Sequence, residues 1–389
     1  MTTTAQPVPG SPSLDSMRVS KAAVFRGVDD GLSFEDVYVT EPTSREVLID
    51  VAACGACHSD VHKLEGHGTV PAPNIFGHEL AGTVVAVGSD VTHVRPGDRV
   101  ACTFLVPCGR CGACLSGAED NCGPFRSMMQ ARGLRYDGTH RYYDHDGHPL
   151  RASGVGGLVG LVALPEGAVF PLPSGWPDGI PLTDVAVLGC AALTAYGAVN
   201  RAARLHTGAN VVVLAAGGVG LCTIALAKHA GAQTITATDM RDDALVAAER
   251  FGATATVRAD DPEFAARVAA AAGDAPIDIV FDTIGTPRTI SQALDIVGIG
   301  GKVVVSGLAG TSGPGQIENL NRFVRNKITL VGSYAALPGE DMPALLEAVR
   351  DGALVPSELI SARFPFEDAA AAYSAVASGQ VIGRALIEY

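Results

Sequence analysis

The sequence predicts an α/β chain, with a β-rich first half followed by a doubly wound parallel sheet. Three observations carry this expectation. Strand-length apolar runs at Lys21–Phe25, Glu46–Ala53, Leu80–Val87 and Arg99–Cys102 are separated by turn signals such as Arg95-Pro96-Gly97-Asp98. From about Pro181 the texture changes, and β-branched runs alternate with Ala-rich helical stretches. A glycine cluster marks the point where the first strand of the second half meets its helix.

In chain order the second half reads as strand Asn210–Leu214, helix Gly218–Ala230, strand Gln233–Thr238 and helix Arg241–Phe251. Strands Ile277–Asp282, Lys302–Ser306 and Ile328–Val331 continue the series. Such βαβ alternation calls for a parallel sheet with helices on both faces. Pro365–Tyr389 holds a short helix and a last strand, Ala385–Glu388. No repeat of fixed period is present.

A chain of 389 residues has room for two or three domains with sizeable cores. The hydrophobic fraction of 47% and charged fraction of 18% are those of a soluble globular protein. The net charge of −13, with no basic run, argues against nucleic acid or an anionic membrane surface as partner. No stretch is long and apolar enough to span a bilayer. The segment Met1–Ser16 is rich in Thr, Pro and Ser and lacks the apolar core of a secretory signal. The expectation is a disordered tail over residues 1–18 and a cytoplasmic protein. In that reducing setting the nine cysteines would be free or metal-bound.

The strongest motif is Cys108-x2-Cys111-x2-Cys114-x7-Cys122, in a lobe of about residues 105–124. Four thiolates close a tetrahedral zinc shell and leave no open position, so the site is structural. Gly109, Gly112 and Gly117 would let the lobe fold tightly. Iron–sulfur ligation would ordinarily show different spacing and a Pro after the last Cys, and disulfides conflict with a reducing compartment.

A second, scattered set comprises Cys54-Gly55-Ala56-Cys57-His58-Ser59-Asp60, Gly77-His78-Glu79 and Gly189-Cys190. A catalytic zinc needs three protein ligands and one open position. Cys57, His78 and Cys190 would supply two thiolates and an imidazole, leaving the metal net neutral and able to accept an alkoxide. Ligands so far apart in sequence can also be coincidental core residues.

The glycine cluster is Ala215-Ala216-Gly217-Gly218-Val219-Gly220, at the start of a helix. Glycines let the backbone approach a pyrophosphate, whose charge faces the helix N-terminus. Ala215 stands where the fingerprint's first glycine belongs, which requires a negative φ there. Asp239 closes the second strand, 24 residues after Ala215. A carboxylate in that place accepts bonds from the adenosine ribose and repels a 2′-phosphate, favouring NAD over NADP. Arg241 could pair with a phosphate and pulls the other way. Asp239 could also serve as a helix N-cap.

Taken together and in this order, these segments and Gly383-Arg384 resemble zinc-containing medium-chain alcohol dehydrogenases over roughly Val19–Tyr389. The resemblance implies a GroES-like catalytic domain at 19–190 and 335–389 around a Rossmann NAD-binding domain at 191–334. It implies two zinc ions per chain, and that Cys57, His78 and Cys190 hold the catalytic one. By the same resemblance Glu79 is a carboxylate able to approach the metal, and Asp60 orients the ligating imidazole. Ser59 and His62 form a proton relay, for which an imidazole is suited because it titrates near neutrality. His58 and Arg384 contact the pyrophosphate, Thr194 and Val219 pack near the nicotinamide, and Phe104 and Leu308 line the substrate pocket. Core packing is the competing reading of those last two. The implied substrate is a small alcohol, aldehyde or ketone. The implied assembly is a homodimer or homotetramer, formed through the edge strand around Lys327–Tyr334.

Two other functions fit parts of the sequence. A conjugate-alkene or iminium reductase would share the fold and cofactor, but such relatives tend to lose a catalytic ligand or the relay, and Ser59 and His62 are both present. A non-enzymatic zinc or nucleotide binder would need no open three-ligand metal beside a relay. His140, His145 and His148, near Asp144 and Asp146, read as a solvated hairpin. Cys54, Cys102 and Cys222 read as small buried hydrophobes. Asp282 is expected only to line the cleft edge.

Overall fold

The structure, a computed structural model, describes residues 13–67, 71–273, 275–308 and 315–389. It divides into two units. Unit 1 comprises the described residues up to Gly189, with Pro338–Met342 and Ala362–Tyr389; unit 2 comprises Cys190–Leu337 and Pro343–Ser361.

Unit 1 is built from a barrel and a sheet. The closed barrel runs through strands Arg18–Gly27, Gly31–Val39, Tyr142–Tyr143, Pro149–Ala152 and Asn74–Ile75. The seven-stranded sheet runs in the order Val169–Pro171, Arg99–Cys102, Glu79–Val87, Glu46–Ala56, Arg384–Glu388, Ile360–Pro365, with Leu161–Pro165 also paired to Glu46–Ala56. Glu46–Ala56 is buried along almost its whole length. After Glu46 it reads as an apolar run interrupted only by the exposed Asp50, rather than as an alternating one. Its last residues, Cys54 to Ala56, align with Leu80, Glu79 and Ala385 on the flanking strands.

Unit 2 is a six-stranded parallel sheet in the order Ala255–Arg258, Thr234–Asp239, Asn210–Leu214, Ile279–Asp282, Lys302–Val305, Thr329–Gly332. In chain order this is 3-2-1-4-5-6, the doubly wound dinucleotide-binding topology. The switch point lies beside Asn210–Leu214, the strand that leads into the glycine cluster. Val212, Leu214, Val268, Val280, Val297 and Val303 belong to the core between sheet and helices on one face.

The structure departs from the sequence reading in four places. Residues 1–12 of the expected tail lie outside the described residues. From Leu14 the chain is ordered, with a 3₁₀ turn at Leu14–Ser16 and a strand from Arg18. The segment 335–389 does not return whole to the catalytic unit. Pro343–Ser361 belongs to unit 2, because Leu345, Leu346, Val349 and Leu359 bury their side chains and helix Pro356–Leu359 lies against helix Gly218–His229. Asp239 is not the cap of the next helix; Arg241 is, and Asp239 instead accepts the Arg241 N–H at 3.0 Å. Finally, Ala215 has φ +70°, not the negative value its side chain prefers.

That last conformation is imposed by close packing. A Cβ on Gly220 would sit 2.0 Å from the Ala215 carbonyl oxygen, so helix and turn touch backbone to backbone. The left-handed region costs a non-glycine residue about 1–2 kcal/mol. Ala215→Gly should therefore stabilise the protein, less about 0.4–1 kcal/mol for the freer unfolded chain. The expected result is a rise of about 2 °C in Tm by calorimetry, with Gly220→Ala moving Tm the other way. A lower Tm for Ala215→Gly would contradict this account.

Candidate metal centres and cofactor loop

The end of the seven-stranded sheet places the site. Strand Glu46–Ala56 runs into Cys57, which caps helix α1, His58–Leu64. Antiparallel to it, Gly77 and His78 lead into Glu79, and Gly55 pairs with Glu79. A Cβ on Gly55 would come within 2.5 Å of the Glu79 carboxylate, so glycine there makes room for that side chain. On the other flank Ala385 pairs with Ala56, which puts Arg384 at the same end. Gly189 is pinned there too. Its carbonyl accepts the Phe104 N–H at 3.2 Å, and a Cβ on it would strike the Cys102 carbonyl at 1.9 Å. Cys190 follows Gly189 directly and is the residue at which unit 2 begins.

Ligand atoms of Cys57, His78, Glu79 and Cys190 all lie within 4.8 Å of one another. The His78 ring is fixed from both sides. Its Nδ1 lies 2.9 Å from Asp60 Oδ2, and its Nε2 lies 3.3 Å from Ser59 Oγ. With Nδ1 turned to a carboxylate, Nε2 is the atom directed at the cluster, the arrangement by which a carboxylate orients a metal-ligating histidine. Ser59 Oγ is also 3.4 Å from Cys57 Sγ. The Phe104 ring meets the His78 ring edge-on, centroids 6.0 Å apart.

The charges here are buried in pairs. Asp60 is fully buried, which alone would raise its pKa; His78 and Lys63, whose Nζ is 3.0 Å away, hold it at about 2. Burial likewise opposes a charged His78, but Asp60 and Cys57 push it up to about 10. Ligation through Nε2 needs the neutral imidazole, so binding a metal ion there would work against this upward push. Burial raises Glu79 to about 7 against the pull of Arg384, whose Nε lies 3.1 Å from Glu79 Oε2.

The four-cysteine lobe closes on itself. Cys108, Cys111, Cys114 and Cys122 have all four sulfurs within 4.8 Å, with Cys111 Sγ 3.5 Å from Cys114 Sγ and 3.9 Å from Cys122 Sγ. Sulfurs on a tetrahedral zinc with 2.3 Å bonds are about 3.8 Å apart, so the donors stand at ligating separation. Backbone N–H groups of Cys108 and Phe125 point at Cys122 Sγ. Gly109 and Gly117 take positive φ, which glycine accommodates best; Gly112 does not.

In unit 2, Gly217 caps helix Gly218–His229. Asp239 Oδ2 accepts the Ala216 N–H at 2.9 Å, so the strand-end carboxylate steadies the loop it faces. Arg241 makes a two-point pair with Asp243, at 3.0 and 2.7 Å.

Comparison with known proteins agrees with this architecture. Residues 43–174 match the alcohol dehydrogenase GroES-like domain, and residues 218–351 match the zinc-binding dehydrogenase family. The chain is 30% identical over 367 residues to a probable S-(hydroxymethyl)glutathione dehydrogenase of Schizosaccharomyces pombe, covering 93% of this chain and 95% of that one. The chain belongs to the zinc-containing medium-chain alcohol dehydrogenase family. It is also 31% identical to an NDMA-dependent alcohol dehydrogenase of Amycolatopsis methanolica, over 93% of this chain and 97% of that protein. An alcohol dehydrogenase zinc-binding domain protein from Burkholderia ambifaria shares the fold with TM-score 0.88 and 27% identity, over 96% of this chain and 99% of that one.

Seen as a dehydrogenase of this family, the chain brings Cys57, Ser59, Asp60, His78, Glu79 and Arg384 to one sheet end in unit 1. His58 and His62 lie on helix α1 beside them, their rings 6.1 Å apart. Arg384, expected at a pyrophosphate, is 9% exposed and paired to Glu79. Thr194 and Val219 sit on helices Ala191–Gly197 and Gly218–His229 of unit 2. Leu308, in unit 2, is 71% exposed, which removes core packing as its role. Asp282 is fully buried and caps its own loop, accepting from Ile284 and Gly285 N–H and Thr289 Oγ1. Its role is structural rather than lining a cleft. Cys54, Cys102 and Cys222 are buried, and burial pushes the Cys54 and Cys102 thiols up, away from ligation. The His140–His148 segment is a hairpin whose Asp144 accepts the Asp146 and His148 N–H groups.

Two residues went unread in the sequence: Lys63, which compensates Asp60, and His67, whose ring lies against His62. The spacing of Lys63 from Asp60, three residues along one helix, could have revealed the first. His67 lies beyond a helix end, where spacing says nothing.

Two outcomes are expected. Cys111→Ser should lose about one zinc per chain by elemental analysis and open the lobe to proteolysis within residues 105–124; full zinc content would refute the lobe assignment. Arg384→Met should cost about 3 kcal/mol or more in denaturant unfolding, because it strands a buried carboxylate.

Proposed function

We propose that this chain is a zinc-dependent, NAD-linked alcohol dehydrogenase that interconverts an alcohol and an aldehyde or ketone. The observation that carries the reading is the cluster of Cys57, His78 and Cys190 with Ser59 Oγ beside two of its ligand atoms. Two thiolates and one imidazole suit zinc and leave a fourth position open. Bound there, zinc would supply Lewis acidity that lowers the pKa of an alcohol, and NAD would accept the hydride.

This chain's own residues then have distinct tasks. Ser59 Oγ stands where an alcohol beside the ligands would release its proton. His62 lies one helical turn further on, towards solvent, and can pass that proton to water. Asp60 holds the His78 ring in one tautomer. Glu79 and Arg384 neutralise each other beneath the ligands. In unit 2 the backbone at Gly217–Gly220 can approach a pyrophosphate, with Thr194 and Val219 near the nicotinamide. Asp239 favours NAD, and the pairing of Arg241 with Asp243 weakens the case for a 2′-phosphate. His58 is assigned to the pyrophosphate.

The substrate class we assign is a small-molecule alcohol, aldehyde or ketone. Phe104, edge-on to His78, lines the substrate side, and Leu308 is assigned to the same pocket. Among the described residues no single helix is long and apolar enough to cross a membrane, and we assign the protein to the cytoplasm. Thr329–Gly332 ends the six-stranded sheet, and Leu330 and Tyr334 are partly exposed beside it. An edge left unpaired among the described residues favours a homodimer or homotetramer.

The experiment is a panel of primary, secondary and aromatic alcohols and S-(hydroxymethyl)glutathione, with NAD or NADP, with and without NDMA, alongside zinc analysis. The expectation is two zinc per chain, NAD-preferring turnover, and a monodisperse oligomer by light scattering. Cys57→Ala should abolish turnover with Tm nearly unchanged, and Ser59→Ala should lower kcat by about 10²-fold. Undiminished turnover in Cys57→Ala would refute the ligand assignment. Reduction of an enone at C=C rather than C=O would move the chain to the reductase class.

A further inference from the structure

We propose that His62, Glu65 and His67 form a third, solvent-facing site for a divalent transition metal, and that its occupation withdraws the His62 imidazole from proton transfer. The second clause rests on the relay role given to His62 above; the site itself does not.

The local sequence builds this site. Helix α1 ends at Leu64 and Glu65 is its C-cap. Gly66 follows with φ +79°, the left-handed conformation that ends helices. The Gly66 N–H donates to the Lys63 carbonyl at 3.1 Å, and the His67 N–H donates to the His62 carbonyl at 2.8 Å. These two bonds make a Schellman motif, which folds the second residue past the cap back over the third residue before it. Helices ordinarily fill those two positions with apolar side chains in contact. Here they are His67 and His62.

The rings lie with centroids 5.6 Å apart and Nδ1 atoms 3.4 Å apart. Glu65 Oε2 is 3.7 Å from His67 Nδ1, and the three ligand atoms fall within 4.8 Å of one another. Two nitrogens bound 2.0–2.1 Å from a tetrahedral zinc are about 3.3–3.4 Å apart, so the imidazoles already stand at bridging separation. Two imidazoles and a carboxylate select zinc, cobalt, nickel or copper over magnesium or calcium. His62 is half-buried while Glu65 and His67 are exposed, so an ion can arrive from solvent. Once His62 Nδ1 is ligated, its lone pair no longer accepts a proton.

The test uses zinc-replete protein, dialysed against low-micromolar free Zn²⁺. Bound zinc is counted and alcohol turnover measured on the same samples, for wild type and His67→Ala. Wild type is expected to hold one zinc more than His67→Ala. Its turnover should fall by about tenfold or more and recover after brief treatment with a weak chelator, while His67→Ala is insensitive. Glu65→Gln should weaken the added zinc without abolishing it. Equal zinc in wild type and His67→Ala overturns the site. Extra zinc in wild type with unchanged turnover keeps the site and overturns the relay role of His62.

Discussion

The metal centre depends on a buried carboxylate that the fold has had to accommodate. Glu79 has no exposed surface and occupies the space that a side chain on Gly55 would fill. It is tolerable only because Arg384, from a strand more than three hundred residues later, reaches the same point. That one pair ties together three neighbouring strands of the seven-stranded sheet. The register that seats Glu79 opposite Gly55 also sets His78 near Cys57 and fixes the depth of both ligands. A one-residue slip of either strand would turn Glu79 to the opposite face.

Much of this was legible in the sequence, for reasons that differ by element. The parallel strands of unit 2 are short, continuous and β-branched, and Asn210–Leu214 and Arg99–Cys102 begin and end where the pattern places them. Gly31–Val39 was not legible. Its first six residues are partly or largely exposed, with Glu35 and Asp36 in mid-strand, and only Val37 and Val39 are buried, so it presents no apolar run. The four-cysteine lobe could be read because its ligands are local. The Cys57, His78 and Cys190 set could be read only as a combination, since sheet register rather than spacing brings its members together. The partition of the C-terminal segment was hidden for a similar reason. Leu345, Leu346 and Leu359 are buried apolar residues whichever unit receives them.

Ala215 shows the limit of reading a motif by residue type. The fingerprint's glycines serve two purposes, positive φ at the turn and close approach at the helix. The structure keeps the second at Gly220, where no side chain would fit, and meets the first with alanine at a cost in strain. Asp239 helps to hold that turn by accepting the Ala216 N–H. The residue assigned above to the cofactor ribose thus also stiffens the loop that faces it, and changing it would disturb the loop itself.

The charges around the metal ligands explain why the site needs so many ionisable groups. Two thiolates are enough to neutralise a divalent ion, so any further uncompensated carboxylate would make the site anionic and disfavour loss of an alcohol proton. Each additional carboxylate carries its own cation: Asp60 has Lys63, and Glu79 has Arg384. Asp60 can therefore hold the His78 ring, and Glu79 can brace the strand ends, without adding net negative charge where the alkoxide would form. On this view Lys63 and Arg384 are as much a part of the site's chemistry as the ligands themselves. They would hold no metal, yet would leave the charge of a zinc ion bound by Cys57, His78 and Cys190 available to a substrate.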